Sequence, residues 1–199
     1  MIVLALDTTG SNCSVAVYDS DSGCILGSFL QTLGRGHAER LISAIDSALK
    51  DAQLDINRVE RVITTLGPGS FTGVRVSVSV ARGLSLALGA PALGVGNLEV
   101  LARSYLDIHF NRPVMVLVNL LFEKICCQIF SVNAVPFSDP ILLSHDQARC
   151  EVEKFEGAVI GSGVYAMKGM KAKMDCLPMD VVARLGIEKT QSSPSPIYL

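Results

Sequence analysis

Charge is scarce in this chain. Asp, Glu, Lys and Arg make up 18% of its 199 residues against 49% hydrophobic, which excludes a disordered chain and leaves apolar surface for a partner to cover. No run of Lys and Arg offsets the net charge of -2. Nothing here would grip nucleic acid unaided, because non-specific affinity comes from neutralising phosphates. Histidine is nearly absent too: His37, His109 and His145 stand in unrelated segments, and Leu41 occupies the position four after His37. That spacing argues against a zinc or iron site and against metalloprotease chemistry. The six cysteines, at 13, 24, 126, 127, 150 and 176, lack the Cys-x-x-Cys spacing of a zinc knuckle or redox pair. They read as free thiols of a reducing compartment. No serine sits in a Gly-x-Ser-x-Gly elbow. A leader or membrane span is not expected either. The opening apolar run stops at Asp7, and PVMVLVNLLF falls short of a spanning length. The expected location is the cytoplasm.

What is present is a regular alternation of strand and helix signals, in a chain long enough for one large domain or two small lobes. Residues 2–7, 13–18 and 24–30 read as three strands joined by short turns, an antiparallel meander. Ala38, Leu41, Ile42, Ile45, Leu49 and Ala52 repeat at steps of three and four, the mark of an amphipathic helix. Residues 59–65 return to strand. The run VRVSVSV at 74–80 alternates strictly and on propensity would be a strand. A helix accounts for more: Ser70 suits an N-cap, Gly89 a C-terminal glycine, and Pro91 follows the stop. On that helix Gly73, Ser77, Ala81 and Ser85 form a stripe of small side chains, opposite Val76, Val80, Leu84 and Leu88. A short strand and a helix follow. From Pro113 the pattern restarts with two strands that echo residues 2–18. Beyond it come a helix from Ser144 to about Glu151, a strand at 158–160, a turn at Gly161 and Gly163, a helix around 179–185 and an extended Ser/Pro-rich tail. The whole predicts two related α/β lobes, 1–105 and 106–199.

Two stretches could carry chemistry. GPGSFTG at 67–73 is neither the dinucleotide fingerprint nor a P-loop, since no Gly-Lys-Ser/Thr follows. Spacing favours a tight strand-to-helix turn, with anion binding at the helix-opening amides left open. DTTGSN at 7–12 offers a carboxylate and small hydroxyls after a strand. Such a turn can hold hydrated Mg²⁺ and phosphate oxygens, or be an ordinary Asx-stabilised hairpin. His37 and Glu39 open the first helix, where His37 reads as a contact residue rather than a ligand.

Three segments together resemble the bacterial TsaB family, once called YeaZ: LALDTTGSNCSVAV at 4–17, GHAERLISAIDSAL at 36–49 and, most specifically, TTLGPGSFTGVRVSVSVARGLSLALGAPALGVGNLEVLA at 64–102. PIYL at 196–199 is a weaker trace. The first half is covered almost continuously and the second mainly in layout. The resemblance implies the two-lobed fold of the actin, Hsp70 and sugar-kinase class, ribonuclease H-like, with a reduced second lobe. It implies a non-catalytic scaffold in making N6-threonylcarbamoyladenosine at adenosine 37 of tRNA. Such a scaffold would pair with the catalytic paralogue TsaD, present a surface to the ATPase TsaE, form a homodimer when alone, and meet tRNA only through the complex. The two histidines that bind metal in TsaD have no counterpart. Residues His37, Glu39, Leu41, Ser70, Phe71, Thr72, Gly73, Arg75, Val76, Ser77 and Val80 would belong to or support the partner face. Asp7, Thr8, Thr9, Gly10 and Ser11 would be a degenerate phosphate loop. No cofactor is expected, with weak ATP or ADP binding left open.

One stretch departs from the family. Where relatives carry Asp-Ala-Arg and then Glu-Val-Tyr, this chain has Asn119, Leu120, Leu121, Lys124, Ile125 and Cys126. A carboxylate, an arginine and a tyrosine are lost there. The competing reading is a small ATP-dependent phosphotransferase of the same superfamily, whose second phosphate loop could only be Gly161-Ser162-Gly163.

Overall fold

The computed structural model describes residues 1–109, 111–120, 124–170, 176–190 and 193–197. Two compact units emerge among the described residues, Met1–Gly96 with Cys176–Ile197, and those within Asn97–Asp175.

In the first unit three hydrophobic segments pair as an antiparallel meander, β1 (Ile2–Asp7), β2 (Asn12–Asp19) and β3 (Cys24–Thr32). Helix α1 (His37–Asp51) then crosses to β4 (Arg61–Thr65), which lies parallel to β1, and α2 (Phe71–Leu88) crosses to β5 (Ala92–Val95), parallel to β4. The sheet order is β3-β2-β1-β4-β5. Leu4, Leu6, Val15 and Val17 line one face, and the apolar stripe of α1 (Leu41, Ala44, Ile45, Ala48, Leu49) closes over them. Strand side chains alternate, so Ile63 points away from its neighbour Val62 and to the opposite face. There it meets Gly186 of a late helix, α6 (Met179–Glu188). Burial of Val181, Val182, Ala183 and Leu185 explains why the chain returns here: the crossover helices leave that face of the sheet bare.

The second unit repeats the plan. Helix α3 (Asn97–Leu106) precedes an antiparallel meander of β6 (Val114–Asn119), β7 (Lys124–Phe130) and β8 (Ile141–Ser144). Helix α4 (His145–Lys154) leads to β9 (Ala158–Ile160), parallel to β6, and α5 (Ser162–Met167) follows. The order β8-β7-β6-β9 is that of the first sheet without its fifth strand. This duplicated arrangement is the expected ribonuclease H-like, actin-class fold. The lobe boundary falls differently from the expected 105/106: α3 packs its Leu98, Ala102 and Leu106 on Val114, Val116 and Cys126 of the second sheet, and 176–197 go with the first.

The segment 74–80 is helical. The Ser70 side chain accepts from the Gly73 amide at 3.3 Å, and Gly89 adopts the left-handed conformation (φ 66°). Burial of Gly73, Val74, Ser77, Val78 and Ala81 beats strand propensity, because only a helix puts these residues on one side. Besides a three-residue 3₁₀ turn at Ile56–Arg58, two elements lie outside the expected pattern. β8 has four residues on an exposed edge with no alternation, and α5 has six residues opening at a glycine pair that reads as a turn. Helix α2 spans the length that its caps Ser70 and Gly89 predict. Its 18 residues, of mean hydropathy 1.2, are long and apolar enough to cross a membrane by length and composition. Here that apolarity serves packing against the sheet and α1.

Adjacent cysteines in β7 point to opposite cores: Cys126 among α3 side chains, Cys127 among those under α4. Burial pushes the Cys126 thiol up to about 12 and the Cys13 and Cys127 thiols up to about 11. A thiol whose folded pKa is raised favours the fold fully below the ordinary value of 9.0 and loses that contribution as pH climbs through the folded value. Iodoacetamide at pH 8 should therefore alkylate the exposed Cys24, Cys150 and Cys176 and spare the other three; mass mapping checks this, and early modification of Cys126 would contradict it. Backbone closeness gives a second expectation. A Cβ on Gly27 would overlap the carbonyl oxygen of Ala48 at the end of α1, whereas one on Gly83 meets nothing within 4 Å. Gly27→Ala should cost about 1–3 kcal/mol and Gly83→Ala should gain about 0.5–1 kcal/mol, read from urea midpoints. Equal effects would refute the close contact.

Candidate functional site

Strands β1 and β4 run parallel with Leu6 beside Thr64, so their ends bring Asp7 and Thr65 together. Asp7 is 3% exposed. Its Oδ1 accepts three hydrogen bonds, from the Thr9 amide (2.9 Å), Thr9 Oγ1 (2.6 Å) and Thr65 Oγ1 (2.7 Å). The carboxylate thus folds its own turn and ties it to the next strand. Thr8 and Thr9 are buried, Gly10 and Ser11 half-buried. The Ser11 carbonyl is taken by the amides of Leu33 (2.9 Å) and Gly34 (3.1 Å).

This turn is clasped by the glycine loop. Thr8 Oγ1 donates to the Gly73 carbonyl at 2.6 Å, and the Ser70 amide donates to the Thr9 carbonyl at 2.7 Å. A Cβ on Gly69 would overlap the Thr9 carbonyl oxygen, and one on Gly73 that of Thr8. Gly67 stands at φ +93°, a conformation that favours glycine. Hence the glycines let two backbones touch, as their spacing suggested. Two amides that could face an anion at the opening of α2 are already bonded within the chain: Ser70 to Thr9, and Gly73 to the Ser70 hydroxyl. Sequence reasoning missed Thr65, which completes the Asp7 cluster, and also Ser14 and Thr64. The hydroxyls of those two are buried without a hydrogen-bond partner. A Thr-Thr pair ending a strand beside an acidic strand end was the signal available for Thr65.

The second-lobe candidate behaves alike. A Cβ on Gly161 would overlap the Leu117 carbonyl oxygen, and Gly163 lies against Leu117 as well. Ser162 Oγ accepts from the Asn119 amide at 2.9 Å. In the divergent stretch, Ile125 and Cys126 are core residues, Leu120 packs beside α3 and Lys124 is exposed. Leu121 lies outside the described residues, as do Tyr198 and Leu199 of the PIYL trace. Among the described residues, no three His, Cys, Asp or Glu side chains are grouped to hold a metal.

The expected partner-face residues divide by burial. Phe71 (55% exposed), Thr72, Arg75 and Glu39 are open, and His37, Val76 and Val80 are half-buried. The Arg75 guanidinium lies over the Phe71 ring at 3.7 Å. With Ala38, Thr72 and Ser79 these side chains line a shallow groove of about 410 Å³ between α1 and α2. Leu41, Gly73 and Ser77 fall on the supporting side of that set. All three face inward, Leu41 and Ser77 with no exposure at all, and Ser77 Oγ lies 3.3 Å from the Val74 carbonyl of its own helix. They can only support the face from beneath, and Ser70 serves as the cap. Ile42, 59% exposed, lies one helical turn beyond the groove-lining Ala38 on α1 and so on the same side of that helix; in a periodic pattern it reads as core.

Several known proteins are similar to this chain. The TsaD family, tRNA N6-adenosine threonylcarbamoyltransferase, matches residues 31–119. The tRNA threonylcarbamoyladenosine biosynthesis protein TsaB of Buchnera aphidicola is 32% identical over 118 residues, 59% of this chain and 55% of that protein. TsaB of Escherichia coli is 30% identical over 103 residues, 52% of this chain and 43% of that one. The chain thus spans about half the length of the curated relatives it matches. YeaZ from Pseudomonas aeruginosa superposes over 100% of this chain and 99% of its own, with a TM-score of 0.81 at 24% identity, a likeness of fold.

If the Asp7 cluster is a structural clasp, Asp7→Ala should lower stability by roughly 2–3 kcal/mol, because it strands the Thr9 amide and the Thr65 hydroxyl. Thr65→Val should lower it by about 1 kcal/mol. Urea unfolding measures both, and a loss within error for Asp7→Ala would defeat the clasp.

Proposed function

On the premise of the chain's kinship with the TsaB family, we propose that it is a non-catalytic scaffold. It would dimerise with a TsaD-type paralogue and support threonylcarbamoyl transfer to adenosine 37 of tRNA. The observation that carries this reading is the contrast between its two candidate surfaces. The turn and loop that would have to cradle phosphates are clasped to each other by their own hydrogen bonds. The α1–α2 face, by contrast, leaves Phe71, Ile42 and the groove beside Arg75 open to solvent. Exposed aromatic and arginine side chains set around an apolar groove are the usual anchors of a protein interface.

In this role the scaffold acts in the cytoplasm and needs no cofactor of its own. A TsaE-type ATPase joins the pair, and tRNA is met only through the assembled complex. Alone, the chain covers the same face by forming a homodimer, since an exposed apolar helix pair is the natural surface for a two-fold contact.

Light scattering on a sizing column tests this, with the chain alone and mixed with its TsaD-type paralogue. A homodimer should convert to a 1:1 heterodimer. Ile42→Glu and Phe71→Glu, both at exposed positions, should weaken either assembly by tenfold or more, about 1.4 kcal/mol, while leaving the melting temperature unchanged. A monomer that forms no complex, yet binds Mg·ATP below millimolar and loses it on Asp7→Ala, would overturn the scaffold in favour of a phosphotransferase.

A further inference from the structure

The segment 193–197 (Ser-Pro-Ser-Pro-Ile) is an extended strap tied to the first unit at two distant points. The Ile197 amide donates to the Leu66 carbonyl at 2.9 Å, and Arg82 Nε donates to the Pro194 carbonyl at 2.9 Å. Pro194 is buried by this seat while Ser193 and Ser195 stay exposed. Alternating prolines favour an extended chain before it docks, so ordering the segment costs little entropy.

Both anchor points border the proposed partner face. Leu66 is the last residue before the glycine loop. Its amide is held by the Val95 carbonyl of β5 at 2.9 Å and its carbonyl by the strap, so β5 and the strap grip it from both sides. A Cβ built on Gly67, which stands at positive φ, would come into ordinary contact with the Ile197 carbonyl oxygen, so the strap passes close beside the loop. Arg82 lies two turns beyond Arg75 on α2, on the same stripe as Phe71 and Ser79. One segment therefore holds both the loop that opens α2 and the far end of the exposed stripe.

We propose that residues 193–197 are a positioning strap for the partner face. By fixing Leu66 and Arg82 together, they hold the 66–75 loop and first helical turn in the geometry a partner meets, and they extend that face along its edge. This rests on the scaffold reading for the identity of the face, but the strap's hold on the loop is measurable without any partner.

The test uses the full chain carrying Arg82→Met, which keeps the aliphatic stem, or Ile197→Pro, which removes the donating amide. Arg82→Lys serves as the conservative variant. Hydrogen exchange is followed in peptides covering 66–75, and affinity for the TsaD-type paralogue is measured beside it. Each of the first two substitutions should speed exchange in that region about tenfold and weaken the complex about tenfold. Exchange in β1 and β2 should stay unchanged, and Arg82→Lys should restore part of both losses. Unchanged exchange at 66–75 overturns the strap, and so does faster exchange with unaltered affinity. Should the unaltered chain bind no paralogue, the scaffold reading fails, and exchange at 66–75 alone decides the strap.

Discussion

Backbone touches backbone where the turn after β1 meets the loop before α2, and the first unit is organised around that meeting. Thr8 and Thr9 present carbonyl oxygens to positions 73 and 69, where only a hydrogen fits. Thr8 Oγ1, the Ser70 amide and the Asp7 carboxylate then lock the approach with bonds of 2.6–2.9 Å. Any side chain at Gly69 or Gly73 would push α2 away from the sheet. The burial of Val74, Ser77, Val78 and Ala81 along that helix would be lost with it. The helix that carries the exposed face is thus set in place by residues that never reach the surface.

That constraint separates the two roles these stretches could have had. A phosphate cradle needs free amides around a vacant space, as at the opening of a P-loop helix. Here amides of Ser70 and Gly73 are spent internally, and the candidate carboxylate accepts three hydrogen bonds from its own neighbours. The second unit uses the same device on a smaller scale, with Gly161 and Gly163 pressed against Leu117 and Ser162 holding the Asn119 amide. Glycine at a strand-to-helix turn serves close packing in both units.

The exposed face follows from the geometry of the same helix. With its small stripe turned to the sheet, α2 has to send Phe71, Arg75 and Ser79 outward. Val76 and Val80 are left half-covered by α1. Arg75 lies on the Phe71 ring, so it shields an aromatic face that a partner can uncover.

Strand periodicity, helix steps of three and four, and the cap pair Ser70 and Gly89 determined the first meander, α1, α2 and the duplicated plan, because these are local patterns written in consecutive residues. So was the role of the 67–73 glycines, read from spacing that matches no phosphate fingerprint. Short elements without periodicity, β8 and α5, left no such mark. Which members of a stripe face water was also out of reach: Leu41 and Ile42 are adjacent apolar residues of α1, yet one is sealed and the other open, since only the stripe that carries Leu41 closes over the sheet. The return of α6 to the first sheet and the seating of 193–197 on Leu66 and Arg82 join residues more than a hundred positions apart. Only the tertiary structure decided those, because long-range contacts depend on which sheet face is left uncovered once the local elements have packed.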